Sequence, residues 1–305
     1  MASAKEIKSR IKSIRDTRKI TNAMYLISST KIKKAKSALD NTRPYFESLR
    51  VEIKRIFRTQ KEIESKYIYP IDRKSFVDGD YGFLIITADK GLAGPYNSNI
   101  INKANEIIKD HNSKLYVIGE YGRQYFHRHK INIVEDFNFS AQTPTLEEAR
   151  AITKKLIEDY DDGKIKKLFI VYTDFDEFSV KEAKITRLLP FHRDFFDNDK
   201  KSSEEIVKNE FEFTSNVKMI LEDLAINYIV GFVFGALVES YCSELDFRMN
   251  AMNSANQNAD KILQDLSLEY NRVRQAAITQ EITEVSAGAK KMKNKRKKAK
   301  NEANR

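Results

Sequence analysis

From about Asn209 to Ala289 the chain contains no proline and returns an apolar residue at alternating steps of four and three. Val217, Leu221, Leu224, Tyr228, Val238, Cys242, Leu245, Met249, Met252, Ala259, Leu263, Leu266, Tyr270, Val273 and Ala277 share one seven-residue register, interrupted at Gly231, Gly235 and Asn256. So narrow a seam, sustained over many heptads, predicts a coiled-coil helix. At 1.5 Å per residue it would be roughly 120 Å long, several times the width of an ordinary domain. Such a helix cannot fold inside one domain and needs a partner.

The first sixty residues supply one. Starting at Ile7, the same steps of four and three select Ile7, Ile11, Ile14, Arg18, Thr21, Tyr25, Ser28, Ile32, Ala35, Leu39, Thr42, Phe46, Leu49, Ile53 and Ile56, most of them apolar. Two seams separated by a segment of different character bury each other most simply as an antiparallel pair, because that segment then begins and ends at one place. The polar interruptions Arg18, Thr21 and Ser28 add little to a purely structural coil and mark a stretch facing other protein or solvent. Pro44 lacks an amide proton and clashes with the preceding turn, which predicts a kink or restart there.

Charge follows the same division. Residues 1–60 carry a net +11 and residues 290–305 a net +8, leaving −9 in the remainder of a chain whose total is +10. Basic ends on an acidic body imply an anionic partner, whether nucleic acid, lipid surface or acidic protein, or else a solvated helix face. The single cysteine, Cys242, lies on the seam and reads as a small buried apolar side chain, so no intramolecular disulfide or cysteine-cluster metal site is expected. The most apolar run lies between Asp223 and Glu239. It is shorter than the ~20 residues a membrane span needs, so Gly231-x-x-x-Gly235 is read as close helix packing in water.

Between the seams the pattern changes to short apolar runs alternating with helices of ordinary length. Phe83–Ala88, Leu115–Gly119, Ile131–Phe137, Leu168–Thr173 and Ile185–Leu189 are predicted strands. Ser98–Asp110, Tyr121–His129 and Leu146–Tyr160 are predicted helices. Alternation of this kind gives an α/β fold: a central Rossmann-like domain with a mostly parallel sheet, carried on the long antiparallel coiled coil. The expected divisions are 1–60 for the first helix, 61–205 for the α/β domain, 206–289 for the second helix, and 290–305 as a disordered basic tail.

Catalytic signals are thin. The stretch Asp89-Lys90-Gly91-Leu92-Ala93-Gly94-Pro95-Tyr96-Asn97 joins a strand to a helix, the order in which amides cradle a phosphate, but the chain has neither G-x-x-x-x-G-K-S/T nor G-x-G-x-x-G. A plain turn using glycine's dihedral freedom is the better reading. His127 and His129 lack companions for a metal set and read as surface residues at a helix end. Asp159, Asp161, Asp162, Asp174, Asp176 and Glu177 lack the glycine-centred loop of a calcium hand and read as solvated turns.

The segment Asn271-Arg272-Val273-Arg274-Gln275-Ala276-Ala277-Ile278-Thr279-Gln280-Glu281-Ile282-Thr283-Glu284, followed by Gly288-Ala289, strongly resembles the gamma subunit of F-type ATP synthases. The resemblance extends to Lys5–Ile14, Thr17–Met24, Asp89–Gly94 and Asn97–Asn99. It implies a non-catalytic, cofactor-free central-stalk rotor subunit. One copy of it turns inside a hexamer of three alpha and three beta subunits and couples transmembrane ion flow to ATP synthesis or hydrolysis. The implied partners are those subunits, the epsilon subunit and the membrane c-ring, with no nucleic acid and no membrane span. The implied location is the cytoplasmic face of a bacterial membrane.

Carried onto this sequence, the family's contacts to alpha and beta fall at Met24, Arg248, Gln275, Ile278, Thr279 and Glu281. Lys8, Arg10, Lys31, Lys33 and Lys34 form a basic face suited to an acidic beta-subunit loop, where screened attraction allows sliding. Lys290–Lys300 departs from the family, whose chains stop soon after the Gly-Ala pair. Read from charge alone, a basic coiled-coil nucleic-acid-binding protein is the alternative.

Overall fold

A computed structural model of the chain describes residues 3–59, 63, 65–69, 80–109, 112–175, 182–191 and 216–302. The chain divides into two compact units, Met1–Tyr25 with Met252–Arg305, and Leu26–Ala251.

Helix α1 spans Ala4–Thr59. Ser3 and Glu6 open it with a reciprocal capping box: the Glu6 carboxylate accepts the Ser3 amide at 2.9 Å and Ser3 Oγ accepts the Glu6 amide at 3.3 Å. The predicted seam is followed along the whole helix. Ile7, Ile11, Ser28, Leu49, Ile53 and Ile56 are buried, the other seam positions are half-buried, and Arg18 alone is exposed. The expected restart at Pro44 does not occur, for the helix runs unbroken through it. Pro44 and Asp40, whose carbonyl loses its helical partner, both face solvent, so water can satisfy the one bond the ring removes.

Helix α5 spans Val217–Glu302. Asn216 caps it, its side chain accepting the Lys218 amide and its carbonyl the Ile220 amide. The expected start near residue 206 lies outside the described residues. Nor does the helix stop at Ala289. Lys and Ala favour helix, and no breaker follows Gly288. The basic segment is therefore helical to Glu302, where a disordered tail was expected.

In the larger unit the sheet has strand order β2-β1-β3-β4, with β1 Tyr81–Ile86, β2 Ser113–Ile118, β3 Lys167–Thr173 and β4 Ala183–Leu189. Strands β1, β2 and β3 are parallel and β4 is antiparallel to β3. Helices α2 (Tyr96–Ile108), α3 (Glu120–Arg128) and α4 (Leu146–Asp161) cover it. Phe83, Ile85, Leu115 and Val117 pack with Ile100, Ala104 and Phe126 on one face, while Leu84, Ile86, Tyr116 and Ile118 pack with Ile152 and Leu156 on the other. This is the expected Rossmann-like arrangement. One predicted strand is missing: residues 131–137 make a single ladder-like bond, Val134 amide to Leu115 carbonyl, before Glu135 and Asp136 turn the chain away.

The second face also receives α1 and α5 through Ile53, Ile56, Leu221, Ile229, Val233, Phe234, Leu237 and Cys242. Burial of α5 on nearly all sides accounts for the apolar run between Asp223 and Glu239. Helix α5 is long and apolar enough to cross a membrane, but just over half of that window is already buried in the fold. At Gly231 the Phe46 ring of α1 lies close, since a Cβ built there would be 2.0 Å from Phe46 Cδ1.

Candidate functional site

In a doubly wound sheet the ligand crevice lies beyond the carboxyl ends of the strands, where the strand order reverses. Here that point is between β1 and β3, and a stretch of α5 fills it. Ser240 Oγ accepts the Thr173 amide at 3.2 Å, and Ser243 Oγ donates to the Asp174 carbonyl at 3.1 Å. The Phe247 ring packs on Tyr96 at a centroid distance of 6.2 Å. Arg248 Nη2 donates to the Gly91 and Lys90 carbonyls at 3.1 and 3.4 Å and pairs with Glu244 Oε1 at 2.5 Å.

The loop after β1 is built as a turn rather than a phosphate cradle. The buried Asn97 side chain takes the Ala88 amide at 2.9 Å. Asp89 accepts the Glu120 amide at the start of α3, and its other oxygen accepts Ser140 Oγ and the Ala141 amide. The anion position at that helix terminus is thus held by the chain's own carboxylate. Leu92 and Gly94 adopt positive φ of 63° and 53°, the left-handed geometry that tightens the turn.

Arg248, an expected hexamer contact, is also held within the chain. Its side chain is 11% exposed and that of Glu244 5%, so the pair is engaged within the chain. Burial raises the Glu244 carboxyl's pKa, and the Arg248 charge opposes that rise. A Glu at i and an Arg at i+4 was the available sequence signal. The loop partner, more than 150 residues away, left none.

In the smaller unit α1 and α5 are antiparallel. Thr21 Oγ1 bonds to Asn256 Oδ1 and Arg18 Nε pairs with Asp260 at 3.0 Å, so the polar breaks in the two seams face each other. Beside them a groove of about 420 Å³ is lined by Arg15, Arg18, Lys19, Asn22, Asn256 and Leu263. Alternating half-burial on α5 continues to Val273, and every residue from Arg274 to Met292 is exposed. Gln275, Ile278, Thr279 and Glu281 all fall on this unpaired stretch.

The stretch also carries Ile282, Val285 and Met292, exposed at 61%, 73% and 73%. Ile278, Ile282, Val285, Ala289 and Met292 repeat at four and three, but two residues out of step with the seam. At ~100° per residue they form a separate apolar stripe. Lys8, Arg10, Lys31, Lys33 and Lys34 are exposed, and Met24 is half-buried.

Two carboxylates went unread in the sequence. Asp159 is buried, not in a solvated turn. Burial opposes its ionisation, but hydrogen bonds from Lys114 (2.7 Å), Tyr116 (2.6 Å) and Lys164 (3.0 Å) prevail and hold its pKa at about 2. Glu239 on α5 bonds to Asp174 at the end of β3. Its pKa is pushed up to about 7, by burial first and then by the Asp174 charge and bond, with Arg43 and Lys184 opposing. Asp161 is paired with Lys66 at 2.7 Å, while Asp176 and Glu177 lie outside the described residues. His127 and His129 end α3 at the surface, as expected. Among the described residues no group of three or more His, Cys, Asp or Glu is placed to hold a metal.

Comparison with known proteins agrees with this geometry. The sequence matches the family model described as ATP synthase over residues 3–292. It is 40% identical to the ATP synthase gamma chain of Acetivibrio thermocellus over 297 residues, 96% of this chain and all of that one. It is 32% identical to that of Stenotrophomonas maltophilia strain R551-3, over 95% of this chain and 99% of the relative. In fold it is similar to a chain of the Euglena gracilis mitochondrial ATP synthase, with TM-score 0.62, 14% identity, and coverage of 95% of this chain and 94% of that one. A chain of the Tetrahymena thermophila central stalk and c-ring gives TM-score 0.55 at 23% identity, over 77% and 99%.

Proposed function

Because the chain belongs to the ATP synthase gamma family, we propose that the exposed end of α5 is the surface by which it works as the central-stalk rotor. The protein is a non-catalytic coupling subunit, and its partners are the alpha and beta subunits of the hexamer and the membrane c-ring, with epsilon beside it. Rotation of an asymmetric shaft presents each beta subunit in turn with a different surface, and a partner's equilibrium shifts only through such differential contacts.

The observation that carries this reading is the apolar stripe Ile278, Ile282, Val285, Ala289 and Met292, which no other described residue covers. A stripe of that kind is left in water only where another chain covers it. Met24, Arg248, Gln275, Ile278, Thr279 and Glu281 are assigned to alpha and beta contacts. Lys8, Arg10, Lys31, Lys33 and Lys34 are assigned to screened attraction toward an acidic beta-subunit loop. The complex is membrane-associated, and this subunit's place in it is peripheral, on the cytoplasmic face of a bacterial membrane.

Ile282→Asp with Val285→Asp tests the stripe. The fold is expected to be unchanged because both residues are exposed, while binding to an alpha–beta hexamer and the hydrolysis it supports fall. Undiminished assembly and hydrolysis would remove the stripe from the interface.

A further inference from the structure

The groove between α1 and α5 in the smaller unit is lined almost wholly by hydrogen-bond donors. Arg15, Arg18, Lys19 and Asn22 recur at steps of three and four, which places them on one face of α1. Asn256 and Leu263, seven residues apart, line it from α5. Two carboxylates flank these cations: Asp260 takes Arg18 Nε at 3.0 Å, and Asp16 takes Lys19 Nζ at 3.2 Å. Arg18 therefore keeps both Nη groups, with its plane held by Asp260. Among the described residues Arg15 has no carboxylate partner. Asn256 Oδ1 accepts from Thr21, which leaves its Nδ2 as a donor.

A concavity of about 420 Å³ has the size of a small-molecule site. Two guanidinium forks suit phosphate oxygens, because a planar fork binds them two at a time. From residue 15 to residue 22 the groove follows α1 for about 10 Å, long enough for a diphosphate or triphosphate. An acidic protein surface, by contrast, is met equally well by cations that stand out from a helix and needs no concavity.

We propose that this groove binds the oligophosphate group of a small anionic ligand, with Arg15 and Arg18 as its principal contacts. Donors from both helices hold the ligand, so it ties α1 to α5 where their seams are polar and stabilises this unit. None of the groove's residues carries the rotor reading, and the two stand or fall separately.

The test titrates pyrophosphate, ATP and a poly-glutamate peptide into the full-length chain at physiological ionic strength without magnesium. Arg15→Gln with Arg18→Gln removes the two forks. Asn22→Asp keeps the Arg18–Asp260 pair and adds a negative charge to the groove. Lys5→Gln with Lys12→Gln, both exposed on α1 and outside the groove, removes the same charge elsewhere. Pyrophosphate is expected to bind the wild type and to slow hydrogen exchange at amides 15–22 and 252–263. Its binding should weaken about tenfold or more in the Arg pair and in Asn22→Asp, as for loss of a charged hydrogen bond. In the Lys pair, where the lost charges act only through screened solvent, it should weaken at most about twofold.

Tighter binding of ATP than of pyrophosphate would assign a nucleotide as the source of the phosphates, and equal or weaker binding an inorganic oligophosphate. Either result upholds the site. Equal losses in the Arg and Lys pairs would overturn it, since the attraction would then belong to the whole basic helix. Absence of pyrophosphate binding would do the same. So would groove-dependent binding of poly-glutamate that is tighter than that of pyrophosphate, which would make the groove a dock for acidic protein.

Discussion

Gly231 and Gly235 look alike in sequence, yet the structure predicts that alanine at the two positions shifts stability in opposite directions. In a helix interior, replacing glycine with alanine is worth about 1 kcal/mol in propensity. At Gly235 nothing opposes that gain, since the new Cβ meets only Leu39 Cδ1 at 4.0 Å, an ordinary contact. At Gly231 the Cβ would lie 2.0, 2.4 and 2.5 Å from three atoms of the Phe46 ring, so the ring or the helix must move. Overpacking of that kind costs about 1–3 kcal/mol, and the net effect is a destabilisation of about 1 kcal/mol. Denaturant titration of the full-length chain should thus place the two variants on opposite sides of the wild type, about 2 kcal/mol apart. On a Phe46→Ala background the Gly231→Ala penalty should vanish and become a small gain. Equal shifts of the same sign, or a penalty that survives the loss of Phe46, would refute the close approach of α1 at Gly231.

Two carboxylates predict pH dependences of opposite sign. Glu239 has a pKa of about 7 in the fold, above its ordinary value, so the native state holds a proton that the unfolded chain releases. Stability should fall by up to about 3 kcal/mol as pH rises from about 4.5 to above 7. Glu239→Gln should flatten that slope in denaturation at pH 5 and 8, and a slope shared by both proteins would exclude Glu239 as its source. Asp159 is depressed to about 2, so its contribution is complete above about 4 and is lost as pH falls toward 2. Asp159→Asn should cost about 2 kcal/mol at neutral pH and converge with the wild type near pH 2. A penalty independent of pH would mean that packing, not ionisation, sets it.

Periodic features were legible in the sequence because they are local. The seam from Ile7 to Ile56 is read correctly even through Pro44, where one residue's chemistry predicts a restart and solvent access at Asp40 removes the reason for it. Strands β1 to β4 and helices α2 to α4 fall close to their expected bounds. The segment 131–137 misled because Ile131, Ile133 and Phe137 alternate as a strand does, while the Glu135-Asp136 turn decides its path. The tail misled because lysine content was read as disorder, although lysine is also a good helix former. What could not be read was non-local. Asp159 meets Lys114 and Tyr116 from β2, Glu239 meets Asp174 from β3, and Arg248 meets Lys90 and Gly91. Of the candidate site, the periodic helix that carries Gln275, Ile278, Thr279 and Glu281 was legible, whereas the meeting of Arg248 with the loop after β1 was not.

The central claim is that this chain turns inside its hexamer. It is tested most directly by fixing an alpha–beta hexamer to a surface, attaching a probe to the α/β domain at an exposed position such as Asn102 in α2, and watching the probe while ATP is hydrolysed. Sustained rotation in one direction, stopping when ATP is withdrawn, is the predicted result. A probe that stays fixed while the same assembly hydrolyses ATP would contradict the account.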